Sequence, residues 1–213
     1  MRPSDPSAEG AESKRARIET AAVFATAALH FVFYEWLSLR GVFILVAIGG
    51  WLGYVVARIR REPRCIYDFG LSRRGLGPTA IAAGVVLVVG SLLCLGVGLA
   101  QGRLTFTTNM LLVAALYPVW GLVQQLLVQA MAVRNLVRWL PRATVVPLAG
   151  LLFGVVHLPH LWLALATAAL GAAFTVIYLR WRNIWPLGIC HGWLGVLFYA
   201  WVLGRDPWLE VVG

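Results

Sequence analysis

The chain has 213 residues, of which 60% are hydrophobic and only 13% are charged. Soluble domains are about a quarter charged, so this composition excludes an ordinary soluble enzyme and indicates a protein whose solvent is lipid. The formal charge is +9, but the basic residues lie between apolar runs, which argues against nucleic acid as a partner.

The N-terminal residues 1–20 are polar and mixed in charge, and they contain no apolar core of a signal peptide. We expect them to form a disordered cytoplasmic segment. Seven apolar runs follow and predict one membrane domain over residues 21–205. The fold class is therefore all-α and polytopic, with about seven transmembrane helices, at 21–39, 41–57, 79–100, 110–133, 143–159, 161–179 and 184–203.

The basic residues test this count, because cytoplasmic loops carry an excess of arginine and lysine. With the N-terminus in the cytoplasm, 15 of the 18 basic residues fall in inner segments and only Arg40, Arg103 and Arg205 fall in outer ones. Heavy use of arginine, alanine and glycine is typical of GC-rich bacterial genomes. We therefore predict a multi-pass protein of the cell (inner) membrane.

Three pairs of glycines within the spans are spaced four residues apart. Small residues at this spacing let helix backbones approach closely in lipid, so we expect them to mark helix contacts. Close approach of a substrate is the alternative. The pairs are Gly49 with Gly53, Gly150 with Gly154, and Gly188 with Gly192.

Polar side chains inside the spans are the candidate functional residues, because they are costly in hydrocarbon. Gln124, Gln125 and Gln129 lie on the fourth span, His157 on the fifth and His191 on the seventh. Hydrogen bonding between helices is one explanation for the amides. Two histidines on separate spans, with an amide cluster on a third, instead suggest a shared polar cavity.

Three further chemistries remain open from the residues alone. His157 and His160 could share a metal ion, although no carboxylate or thiolate ligand accompanies them and we expect no metal or cofactor. Cys190 beside His191 could be a nucleophile, although neighbours on a helix point about 100° apart. Glu35, the acidic residue within a predicted span, could be a base or could reach water at the outer interface.

Three motifs, on the fourth, fifth and seventh predicted spans, carry a family resemblance: an amide pair with a third amide four residues later, then FxxxH, then a further histidine. In order, spacing and context, the chain resembles the CPBP (Abi) family of intramembrane proteases, which process CAAX proteins and bacteriocins, from about residue 66 to 203. The family pattern is EExxxR, FxxxH and HxxxN. The matching positions are Gln124, Gln125 and Gln129, then Phe153 and His157, then His191 and Gly195.

The resemblance implies a four-helix core in which a glutamate activates water while histidines and an asparagine orient it and stabilise the oxyanion. Here Gln124 and Gln125 replace the acidic pair, Gln129 the arginine and Gly195 the asparagine. An amide is not a useful base. The expected function is an intramembrane CAAX-type endopeptidase-like protein acting on a membrane-associated peptide or protein, its catalytic competence in question. The alternative is a catalytically silent member that binds or regulates a membrane protein or lipidated peptide.

Overall fold

The computed structural model describes residues 6–37 and 39–209, without the side chains of residues 6–9, 34, 35 and 40. The described part is helical and contains no strand, which confirms the all-α prediction. Three π-helical stretches, Val32–Trp36, Leu126–Val133 and Phe198–Val202, extend α1, α5 and α9. The helices are α1 Pro6–Phe31, α2 Arg40–Arg61, α3 Cys65–Asp68, α4 Leu76–Ala100, α5 Thr108–Gln125, α6 Arg134–Leu136, α7 Arg142–Val155, α8 Leu161–Trp181 and α9 Trp185–Leu197.

Each predicted apolar run coincides with a helix. In the described part, four helices are long and apolar enough to cross a membrane, at Gly41–Arg61, Leu76–Ala100, Thr108–Leu136 and Leu161–Trp181. The protein is thus a multi-pass membrane protein, whereas the number of seven crossings stays a prediction. Helix α7 ends at Val155 rather than at the predicted residue 159, because Pro159 disfavours helical geometry at the residue before it. At about 1.5 Å per residue, α7 is only about 21 Å long.

The N-terminal segment differs from the disorder predicted for residues 1–20. Residues 6–20 form the first part of α1, and residues 1–5 lie outside the described chain. Ala16, Glu19 and Thr20 are buried although the surrounding sequence is polar. The boundary of the membrane domain at residue 21 therefore does not coincide with a change in secondary structure.

A buried polar network explains why this segment is helical. The Glu19 carboxylate accepts hydrogen bonds from Arg134 Nη2 and from Asn135 Nδ2, at 2.5 and 3.0 Å. The Tyr54 hydroxyl donates to the same carboxylate, and Asn135 Nδ2 also donates to the carbonyl of Ala16 at 3.1 Å. The network ties α1 to α2 and to the end of the α5 extension.

Glycines permit the closest helix contacts in the bundle, between α5 and α9. A Cβ atom on Gly188 would lie 2.6 Å from Leu122 Cα, and one on Gly192 would lie 2.7 Å from Pro118 N. The backbones therefore touch, as the spacing predicted. The α7–α8 contact repeats this feature, since a Cβ on Gly150 or Gly154 would lie 2.7 Å from a carbonyl oxygen of α8.

The predicted helix contact is wrong for the first glycine pair, Gly49 with Gly53. Among the described residues, a Cβ on Gly49 or Gly53 would meet no atom within 4 Å, so no described helix packs against the glycine face of α2. Spacing alone does not distinguish a contact face from a lipid-facing one.

We expect Gly192→Ala to lower the free energy of unfolding by about 1–3 kcal/mol, because the backbone of Pro118 must move to admit the methyl group. Gly53→Ala is the matched control and should change it by less than about 0.5 kcal/mol or stabilise through helix propensity. Unfolding in detergent micelles measures both. Equal losses in the two variants would contradict the assigned contact.

The arginine-rich loops meet at one end of the bundle, which we call the basic end. Asn183 Nδ2 donates to the carbonyl of Ser72 at 2.8 Å, and the Arg134 guanidinium stacks over the Phe69 ring. At the opposite end, Arg103 Nη1 donates to the carbonyl of Val202 at 2.9 Å. The two ends therefore differ strongly in charge.

Candidate functional site

The amide motif lies where α5 changes into a π-helix. The α-helix ends at Gln125, and every residue of the following stretch Leu126–Val133 is buried. Such π-helical turns occur frequently at functional sites. Because consecutive helical residues point about 100° apart, Gln124 faces a cavity whereas Gln125 is fully buried in the bundle.

This cavity has a volume of about 1210 Å³ and lies between α4, α5, α8 and α9, with His30 of α1 and Ile44 of α2 also in its lining. Its polar lining includes Gln124, His157 and His191, and its walls are mostly apolar. The described residues that line it include no aspartate or glutamate. The site therefore offers amides and imidazoles, but no carboxylate.

A buried hydrogen bond fixes His191. Gln125 Nε2 lies 3.2 Å from His191 Nδ1. With the Gln125 amide in this orientation, Nε2 donates and His191 Nδ1 accepts, which places the ring proton on Nε2. His191 can thus act as a hydrogen-bond donor through Nε2. Gln125 does not line the cavity itself and acts through this histidine.

His157 has the opposite tautomer. Its Nδ1 lies 2.7 Å from the backbone oxygen of Phe153, which can only accept, so Nδ1 carries the proton and Nε2 keeps its lone pair. The Phe153 ring packs edge-on against both histidines, with ring centroids 5.5 Å from His157 and 4.9 Å from His191. Together the two imidazoles present one acceptor and one donor.

The remaining motif positions differ in their surroundings. Gly195 lines the cavity, and a Cβ there would lie 3.1 Å from the Tyr117 ring. Tyr117 therefore occupies space that an asparagine side chain at position 195 would need. Gln129 is fully buried away from the cavity, and neither of its amide atoms has a partner within the described residues. The structure thus groups Gln124, His157, His191 and Gly195 but not Gln129.

The other sequence candidates do not converge on this group. The Cys190 thiol donates to the carbonyl of Ala83 on α4. His160 lies at the outer rim of the cavity, where its Nε2 accepts from Arg205. Residues 6–37 and 39–209 contain no group of three potential metal ligands among His, Cys, Asp and Glu. The side chain of Glu35, the alternative base, lies outside the described residues.

Comparison with known proteins identifies the core. Residues 105–197 match the family model described as "Type II CAAX prenyl endopeptidase Rce1-like". Over this segment the chain is similar to the Rce1-like family. No curated protein and no solved structure gives a significant match. The resemblance to the CPBP proteases is confirmed, over a shorter range than the expected residues 66–203.

The Rce1-like segment contains the whole cluster and begins just before α5. The similarity supports an intramembrane endopeptidase-like protein and suggests membrane-associated substrates. Helices α1, α2 and α4 precede the matched segment, yet α4 supplies a wall of the cavity and α1 binds the end of the α5 extension.

Proposed function

We propose that this Rce1-like protein binds a membrane-associated peptide or protein in the cavity and does not hydrolyse it efficiently. The observation that carries the proposal is the Gln125–His191 hydrogen bond, in which a neutral amide positions the histidine. Gln124 and Gln125 are similar in size and shape to glutamates and keep the pocket, but they supply no base. Loss of general-base catalysis typically costs about 10²–10⁴-fold in rate.

A second candidate is slow hydrolysis with His157 as the base. Its tautomer favours this, since Nε2 keeps a lone pair that can take a proton from water. The resulting imidazolium would lie in a cavity whose described lining has no carboxylate to neutralise it. Charge in an apolar site without a partner is costly, so we rank this mechanism below binding.

We expect purified wild-type protein in lipid to bind membrane-anchored peptides, including a prenylated CAAX peptide, with little or no cleavage. Fluorescence anisotropy of the labelled peptide measures binding, and mass spectrometry of the products measures cleavage. His157→Ala is the comparison for both. Robust wild-type cleavage that His157→Ala abolishes would overturn the binding proposal and favour the histidine mechanism. Failure of every peptide to bind would also contradict it.

We further propose that the basic end faces the cytoplasm, together with the N-terminus, in the inner membrane of a bacterial cell. This rests on the 15 of 18 basic residues in the predicted inner segments. Reporter fusions after Arg74 and Arg142 should read cytoplasmic, and fusions at Arg103 and after Arg205 should read external. An external reading at Arg142 would remove this topology and the count of seven crossings.

A further inference from the structure

The cavity continues into a cleft between the opposite halves of α4 and α8. Near the basic end both helices contribute to one hydrophobic core, which includes Ala83 of α4 and Phe174 and Tyr178 of α8, and none of these three lines the cavity. From Val85 of α4 and Ala173 of α8 toward the opposite end, residues of both helices line the cavity. The cleft is therefore closed toward the basic end and open toward the opposite end.

The same cleft opens sideways. Val85, Val89 and Leu93 line the cavity and are also 60%, 52% and 66% exposed. On the facing helix, Trp162 and Leu165 line it and are exposed as well. A side chain that borders both the cavity and the outer surface marks a lateral opening. In a bilayer, these exposed surfaces face acyl chains.

Two arginines lie at the mouth of the cleft. Arg103 and Arg205 both line the cavity at the end opposite the arginine-rich loops. Arg103 Nη1 donates to the Val202 carbonyl, and Arg205 Nη1 donates to His160 Nε2 at 3.2 Å. These bonds hold the guanidinium groups near the rim. Asp206 does not line the cavity and accepts from Asn109 Nδ2, so the charged side chains among the described lining residues at this rim are the two arginines.

The length of the apolar wall matches one leaflet. Residues Val85 to Val97 of α4 line the cleft and span about 18 Å. Half of the hydrocarbon core of a bilayer is about 15 Å thick. An acyl chain lying along this wall would therefore place its headgroup at the arginines rather than at the polar floor formed by Gln124, His157 and His191.

We propose that this cleft binds an anionic phospholipid from the leaflet at the opposite end, with its phosphate at Arg103 and Arg205. The acyl chain lies along α4 and α8 and enters through the lateral opening. Arginine is suited to the phosphate because its planar guanidinium can donate two parallel hydrogen bonds. The inference goes beyond the proposed function and does not depend on whether the protein cleaves or binds peptides.

The test uses the full chain in nanodiscs of phosphatidylcholine doped with a photoreactive phosphatidylglycerol, whose diazirine is on the acyl chain. Mass spectrometry locates the crosslinks. We expect photoreactive phosphatidylglycerol to label Val85–Val97 and α8. This labelling should be several-fold stronger than the labelling by phosphatidylcholine that carries the same diazirine. Equal labelling by the two headgroups would overturn the proposal, and this comparison needs only the wild-type protein.

Substitutions of arginine test whether the lipid headgroup binds at the rim of the cleft. Arg205→Gln should lower phosphatidylglycerol labelling about fivefold, as expected for one arginine at a membrane surface, and Arg205→Lys should restore part of it. Arg180→Gln, which removes an exposed arginine at the basic end, is the matched control and should change nothing. Equal loss in Arg180→Gln, or no loss in Arg205→Gln, would contradict the assigned headgroup site.

Competition experiments distinguish the phospholipid from other ligands that could occupy the cleft. Excess inorganic phosphate should leave the crosslinks unchanged; their disappearance would indicate a site for a free anion and would overturn the lipid proposal. A crosslink pattern abolished by a membrane-anchored peptide that lacks any anionic group would assign the cleft to peptide and overturn it too.

Discussion

Gln124→Glu should raise the rate of peptide hydrolysis by about 10²–10⁴-fold over wild type, the usual contribution of a general base. Gln124 lines the cavity and is only partly buried, so a carboxylate there can contact water without complete desolvation. His157 and His191 line the same cavity and can orient that water. The gain should appear in kcat, while the affinity for peptide stays close to that of wild type.

Gln125→Glu is the matched comparison. Residue 125 is fully buried beside His191, so a carboxylate there carries a large desolvation cost and should lower stability rather than supply a solvated base. Initial rates on one peptide that all variants bind are the measurement. Gln124→Glu combined with His157→Ala should lose the gain. Peptide binding by Gln124→Glu without any increase in hydrolysis would show that the missing base is not what limits the wild type.

Glu19→Ala should destabilise the folded protein by about 3–5 kcal/mol. Glu19 is 3% exposed and pairs with Arg134, whose side chain is 12% exposed, so the substitution leaves a largely buried guanidinium without its carboxylate. Asn135 loses the same acceptor. Unfolding in detergent micelles gives the free energy, and hydrogen exchange along α1 should rise at the same time.

Glu12→Ala is the control, because the Glu12–Arg138 pair is exposed and should contribute less than about 1 kcal/mol. Replacing both buried partners, in Glu19→Ala with Arg134→Met, should recover part of the loss, since no unpaired charge remains. A loss in Glu12→Ala as large as that in Glu19→Ala would falsify the assignment of the stabilisation to the buried network.

Hydropathy was sufficient to locate the long apolar helices from α2 onward, but not the short helices α3 and α6. The predicted spans at 79–100 and 161–179 agree with Leu76–Ala100 and Leu161–Trp181 to within three residues, because lipid-facing helices are apolar on most sides. The start of α1 could not be found in this way. Its helical structure depends on Glu19 meeting Arg134 and Asn135, and such contacts leave no local pattern in the sequence.

The sequence predicted part of the candidate site. The order of the motifs grouped Gln124, Gln125, His157 and His191, and all of these except Gln125 line one cavity. The sequence did not separate the roles of Gln124 and Gln125, since which of two neighbouring amides faces a cavity depends on the rotation of the helix. Arg103 and Arg205 at the rim gave no motif at all, because they come from loops 102 positions apart.

The pairing of Glu19 with Arg134 also constrains the order of events during synthesis. The two residues are 115 positions apart, so at about 5–20 residues per second the ribosome adds the arginine about 6–23 s after the glutamate. For that interval the Glu19 carboxylate lacks Arg134 and Asn135 and has only Tyr54 and Arg58 of α2 as partners, so its pairing is incomplete and contact with water is favoured. The helix made first therefore completes its docking only after Arg134 has been added.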